Sequence, residues 1–157
     1  MTSSPDPTPV AASVTDIGLL RIDHVGIAVP DLDVAIEFYA SVFGIQCEHV
    51  EENQEQGVRE AMLAPDSSAL GGRIQLLAPL NENSAVGKFL ANKGPGVHHV
   101  AYAVTDVEAA ADALRAKGMR LLNEAPRRGT HGSRINFVHP KDARGVLVEL
   151  VEPPAAH

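Results

Sequence analysis

The sequence predicts an α+β fold made of two tandem βαβββ modules whose strands join into one cup-shaped mixed sheet. Three observations predict it. The stretch His24-Val-Gly-Ile-Ala-Val-Pro-Asp-Leu-Asp-Val-Ala35 recurs without gaps, 75 positions on, as His99-Val-Ala-Tyr-Ala-Val-Thr-Asp-Val-Glu-Ala-Ala110. A second stretch, Ile74-Gln-Leu-Leu-Ala-Pro79, recurs at nearly the same spacing as Val148-Glu-Leu-Val-Glu-Pro153. Each copy opens on an alternating strand pattern that gives way to a helical one. At 157 residues the chain accommodates both copies in one domain. The expected boundaries are a flexible tail over 1–18 and a single domain over 19–157, with module one at about 19–93 and module two at about 94–153.

The elements follow in order. Val25, Ile27 and Val29 alternate with His24, Gly26 and Ala28, the period of a strand with two unlike faces. Asp31 offers a helix N-cap, and Leu32, Ala35, Ile36, Tyr39 and Phe43 form a stripe that Gly44 stops. Strands are expected over Val58–Leu63 and Arg73–Leu77, and a short helix from about Ser84 to Lys93 joins the halves. Gly94-Pro95-Gly96 marks the seam. In the second copy Thr105 and Glu108 suit a capping box, Gly118 ends the helix, and strands fall at Ile135–His139 and Gly145–Val151.

Composition excludes several function classes. Hydrophobic residues make up 45% and charged residues 21%, which gives a real core and argues against disorder. A net charge of -7 and only six aromatics, none of them Trp, oppose nucleic-acid binding. No apolar run approaches the roughly 18 residues of a membrane span. The single Cys47 excludes an intrachain disulfide and a cysteine-rich zinc site; with no basic neighbour in sequence it is expected to be inert. The first sixteen residues carry no basic residue, as a leader would. A reducing, cytoplasmic setting is the resulting expectation.

The candidate site comes from the strand faces. His24, Gly26 and Ala28, and their repeats His99, Ala101 and Ala103, put one imidazole beside two very small side chains, which suits a concave surface. Gln75 and Glu149 occupy matching positions between aliphatic neighbours. Singly, each reads as a solvent-facing strand residue. Together the four come from equivalent positions, and opposing the modules brings His24, Gln75, His99 and Glu149 to one point. Two imidazoles, an amide oxygen and a carboxylate make an N2O2 set suited to Co, Mn, Ni or Zn, with positions left open for substrate. His98 is expected on the opposite face from His99, in a structural role or near an interface, and His139 in a turn. His49, His131 and His157 have no repeat partner.

With these positions in place, the sequence resembles the vicinal oxygen chelate superfamily, and within it is similar to the methylmalonyl-CoA epimerases. The matching stretches are Ile22–Asp31, Glu51–Glu60, Gln75–Leu80, His98–Ala101, Arg134–Pro140 and Gly145–Leu150. The resemblance implies a vicinal oxygen chelate fold and an isomerase of propionyl-CoA metabolism that epimerises methylmalonyl-CoA through a metal-stabilised enolate. It implies metal ligands at His24, Gln75, His99 and Glu149, with one divalent ion per chain, cobalt foremost. Glu60 and Glu149 are the implied proton carriers, and a homodimer is the implied assembly. An acyl-CoA substrate also calls for a basic patch. Arg127, Arg128, Arg134, Lys141 and Arg144 flank the loop Gly129–Ser133, either as phosphate ligands or as solvated charges. The rival readings are an extradiol dioxygenase, using His24, His99 and Glu149 alone, a glyoxalase I, and a metal-free binding protein.

Overall fold

The structure, a computed structural model, describes residues 17–66 and 71–155. Most of the expected tail, and His157, lie outside the described residues. Ile17 already packs on the module-two core, and the Gly18 carbonyl accepts from Thr105 N at 3.0 Å.

Among the described residues, eight strands and three α-helices follow one another along the chain. Strand β1 (Leu19–Ala28) leads into helix α1 (Leu32–Phe43), followed by β2 (Gln46–Asn53), β3 (Val58–Ala64) and β4 (Arg73–Pro79). Helix α2 (Ala85–Lys93) crosses to β5 (Gly96–Val104), then α3 (Val107–Ala116), β6 (Arg127–Arg128), β7 (Arg134–Val138) and β8 (Val148–Glu152). All strands form one mixed sheet in the order β2-β3-β4-β1-β5-β8-β7-β6. The order reads the same from both ends. Each module contributes a parallel pair, β1 with β4 and β5 with β8, and the two modules meet where β1 and β5 run antiparallel.

Local chemistry sets the helix ends. Asp31 caps α1 by accepting from Val34 N at 3.1 Å, and Gly44, at φ 71°, turns the chain out of it. Ser84 caps α2 through Gly87 N. The cap of α3 is Asp106, not Thr105: its carboxylate accepts from Glu108 N and Ala109 N at 2.9 and 3.0 Å. Thr105 donates its N–H to the Gly18 carbonyl, and Glu108 reaches Arg134, so no capping box forms.

Two apolar layers lie under the helices. Leu32 of α1 packs with Ala61, Leu63 and Leu76, and Val107, Ala110 and Leu114 of α3 pack with Val138, Val148 and Leu150. Each fully buried leucine contributes about 2 kcal/mol. Phe43, expected in the α1 stripe, lies 61% exposed at the end of the helix, edge-on to Phe38. The sequence pattern also missed β2, a charged edge strand whose Glu48, Glu51 and Glu52 mask its period. β8 starts at Val148, not Gly145, because Arg144 and Gly145, both at positive φ, close the turn before it.

Candidate active site

The register explains why four polar side chains converge. Gly26 lies between Gln75 on β4 and His99 on β5, while Ala101 lies between His24 on β1 and Glu149 on β8. Each small residue is thus flanked by two donors, one from each neighbouring strand. A Cβ on Gly26 would stand 2.1 Å from the His99 ring, so glycine is what admits the imidazole.

All four side chains are buried at the floor of a cavity of about 590 Å³, which Glu60 and Thr130 also line. His24 Nε2 lies 3.2 Å from His99 Nε2 and 3.2 Å from Glu149 Oε1, and His99 Nε2 lies 3.9 Å from Glu149 Oε2. One donor atom from each of the three residues falls within 4.8 Å of the others. Donors sharing one ion at bond lengths of about 2.0–2.2 Å are spaced by roughly 3.0–3.5 Å. Gln75 Nε2 donates to Glu60 Oε2 at 3.1 Å and to Thr130 Oγ1 at 3.0 Å, but Gln75 Oε1, buried, has no hydrogen-bond partner among the described residues. An orphaned buried carbonyl oxygen in the same cavity as two imidazoles and a carboxylate fits a divalent cation of borderline hardness.

Electrostatics agree. Burial disfavours the His24 imidazolium, yet the Asp23 and Glu149 carboxylates outweigh it and raise its pKa to about 9. Burial pushes His99 down to about 4 against the pull of Glu149, with the His24 and His98 charges adding to the drop. Burial also opposes the Glu149 carboxylate, but His99 and His24 together hold its pKa below the usual value. The pocket therefore favours positive charge at this point, carried by a proton on His24 or by a cation.

Glu60 lines the same cavity, and the His24 charge acts on it. Burial pushes its pKa up to about 7; the Thr130 hydroxyl, which donates to Glu60 Oε1 at 2.6 Å, opposes the rise, and Glu51 and Glu149 add to it. A carboxylate tuned to neutrality is what general acid–base work requires.

Several contacts were not legible in the sequence. Thr130 belongs to the loop that the basic-patch argument singled out, but its hydroxyl acts on Glu60 and Gln75. His131, at φ 59°, stacks on His49 at 3.8 Å and donates its N–H to Glu51 Oε1 at 2.8 Å, clasping this loop to β2. His98 does not turn away from its neighbour: its Nδ1 lies 2.9 Å from His99 Nδ1, and it lines the cavity. Three of the five cations of the basic patch have acidic partners. Arg127 pairs with Glu55, Arg128 with Glu51, and Arg134 with Glu108 and Glu152. His139 takes the expected turn position, accepting from Lys141 N, and Cys47 packs at the edge of the module-one core.

Comparison with known proteins supports the same assignment. Residues 23–137 match the Glyoxalase/Bleomycin resistance protein/Dioxygenase superfamily. The ethylmalonyl-CoA/methylmalonyl-CoA epimerase of Cereibacter sphaeroides is 39% identical over 83% of this chain and 96% of its own length. The crystal structure of methylmalonyl-CoA epimerase from Mycobacterium tuberculosis is similar at 54% identity and a TM-score of 0.83, covering 88% of this chain and 91% of that one. A Streptomyces coelicolor methylmalonyl-CoA epimerase variant in complex with 2-nitronate-propionyl-CoA matches at 54% identity and a TM-score of 0.82, over 87% of this chain and 99% of that one. The curled eight-stranded sheet is that of the vicinal oxygen chelate fold. By sequence and by fold, the chain belongs to the Glyoxalase/Bleomycin resistance protein/Dioxygenase superfamily and, within it, to the methylmalonyl-CoA epimerase family.

Proposed function

We propose that the protein is an isomerase that interconverts the (2R) and (2S) forms of methylmalonyl-CoA by taking the α-proton from one face and returning it to the other. The observation that carries this reading is Glu60, a buried carboxylate poised near pH 7 beside a convergent His24, Gln75, His99 and Glu149 set. The proton to be moved sits between a thioester and a carboxylate, and its loss leaves negative charge on oxygen.

In this reading His24, His99 and Glu149, with Gln75 through Oε1, hold one divalent cation, cobalt foremost, with manganese, nickel or zinc as alternatives. Bound there, the cation supplies Lewis-acid stabilisation of the charge developing on substrate oxygen. Glu60 takes the α-proton on one face, and Thr130 keeps its carboxylate oriented for that transfer. Glu149 carries the proton for the other face. With Glu149 held ionised by His24 and His99, the cycle starts with the proton on Glu60: Glu149 takes the α-proton from its face, Glu60 returns one to the other, and turnover in the reverse sense, or exchange with solvent, restores the start. Two carriers are needed because a single one returns the proton to the face it came from. The chain is further expected to work as a cytoplasmic homodimer. Among the described residues no helix is long and apolar enough to cross a membrane.

The test is wash-out of the substrate α-hydrogen into deuterated water, without oxygen, before and after EDTA treatment. Exchange is expected to be oxygen-independent, lost with EDTA and restored by a divalent ion. Glu60→Gln lowers it by about 10²–10⁴-fold while the metal stays bound, and His99→Ala loses both. Undiminished exchange in Glu60→Gln removes that residue from the chemistry, and indifference to EDTA removes the cation.

A further inference from the structure

The two donor histidines are each preceded by a residue that reaches their second ring nitrogen. Asp23 Oδ2 lies 2.8 Å from His24 Nδ1, and His98 Nδ1 lies 2.9 Å from His99 Nδ1. Asp23 and His98 are 75 positions apart, as His24 and His99 are, so the repeat places a partner at the same point in each module and fills it with different chemistry.

We infer that Asp23 and His98 are positioning residues that fix both histidines in the Nδ1–H form, aim their Nε2 lone pairs at one cation, and make the two imidazoles unequal donors. This rests on the metal reading above. A carboxylate is acceptor-only, so the short Asp23 contact requires a proton on His24 Nδ1 and makes Nε2 the nitrogen whose proton a cation displaces. Between His99 and His98 one nitrogen must donate and the other accept. With His99 Nε2 turned to His24 and Glu149, the arrangement that exposes its lone pair has His99 Nδ1–H donating to His98 Nδ1, which puts the His98 proton on Nε2. The His98 ring is braced for that role edge-on to Phe89, at 5.1 Å between centroids. Asp23 is further tied by Arg21. A carboxylate behind an imidazole raises its basicity, whereas a neutral ring orients without adding charge. His24 is thus the strong donor and His99 the weak, exchangeable one.

The test uses the full chain and Co2+ or Zn2+ alone, with affinity read by chelator competition. Asp23→Ala is expected to weaken binding about 10–100-fold, the range for loss of such a partner. Asp23→Asn, which keeps an acceptor but not the charge, falls between it and the parent. His98→Phe, which keeps the ring against Phe89, weakens binding by less than Asp23→Ala. Long-range proton–nitrogen correlations on the Zn-loaded parent, which need no variant to fold, are expected to show Nδ1–H and a bare Nε2 on both His24 and His99. A proton on Nε2 of either, or all three variants within twofold of the parent, overturns the inference. A parent chain without affinity for either ion overturns the metal reading itself.

Discussion

Module one and module two present the same backbone to the cavity but not the same chemistry. Gln75 lies opposite Met62, and Glu149 opposite Phe137, in matching registers. At the next pair on the same face, two residues further along, Glu60 lies opposite Leu77, and its counterpart Ile135 lies opposite Val151. The carboxylate tuned to neutrality therefore has a buried isoleucine as its mate, packed with Ala101 and Val151. Likewise Gly26 matches Ala101, and anionic Asp23 matches His98. Duplication supplied two sets of donor positions around one point, and substitution then assigned proton handling to one wall and an apolar surface to the other. Positions that hold the centre stayed polar in both halves; positions one pair away diverged.

The sharpest way to break this comparison is at the small residues. Gly26→Ala drives a methyl into the His99 ring, which His98 and Phe137 box in, so cation binding and α-proton exchange are expected to fall by more than about 100-fold. The matching Ala101→Gly is expected to cost only about 1 kcal/mol of stability and to leave binding intact, as read by thermal melts and metal titration. A smaller effect separates Glu60 from Ile135. Glu60 works as a base when ionised, so kcat/KM rises with pH through about 7. Thr130→Val deletes a hydrogen bond that favours the ionised form; the rising limb moves up by about one unit and the rate at pH 7 falls about fivefold. Ile135→Val leaves the limb where it is. The smallest effect concerns the helix caps. Asp106→Ala, losing two N–H partners, is expected to destabilise by about 1–2 kcal/mol, and Asp31→Ala, losing one, by about 1, measured by denaturant unfolding.

Much of the scaffold was legible because duplication doubled the signal. Weak cues at His24 and Gln75 became strong when repeated at His99 and Glu149, and the turn glycines and cap residues bounded most elements. Legibility failed where side chains act across long separations. Glu60 and Thr130 share a hydrogen bond at a separation of 70 residues, and His131 and Glu51 one at 80, through contacts with no periodicity to announce them. The edge strand β2 failed for the opposite reason: solvent permits charge on it, and charge erases alternation. His98 was misjudged because strand alternation predicts the direction of Cβ, not where a planar ring swings beyond it.

The pairing of β1 with β5 has a history written into it. His24 lies opposite Ala101 and His99 opposite Gly26, centred on Val25 opposite Val100, so exchanging the halves maps the ladder from Arg21 to Ala28 onto itself. That is the contact two identical peptides make about a twofold axis. A lone ancestral unit would have met its twin in this way, each copy bound to carry whatever the other carried. Fusion through α2 turned a concentration-dependent encounter into a tethered one and released the twins from being identical. An acid on one wall and an aliphatic on the other is a division of labour that only the joined gene can encode.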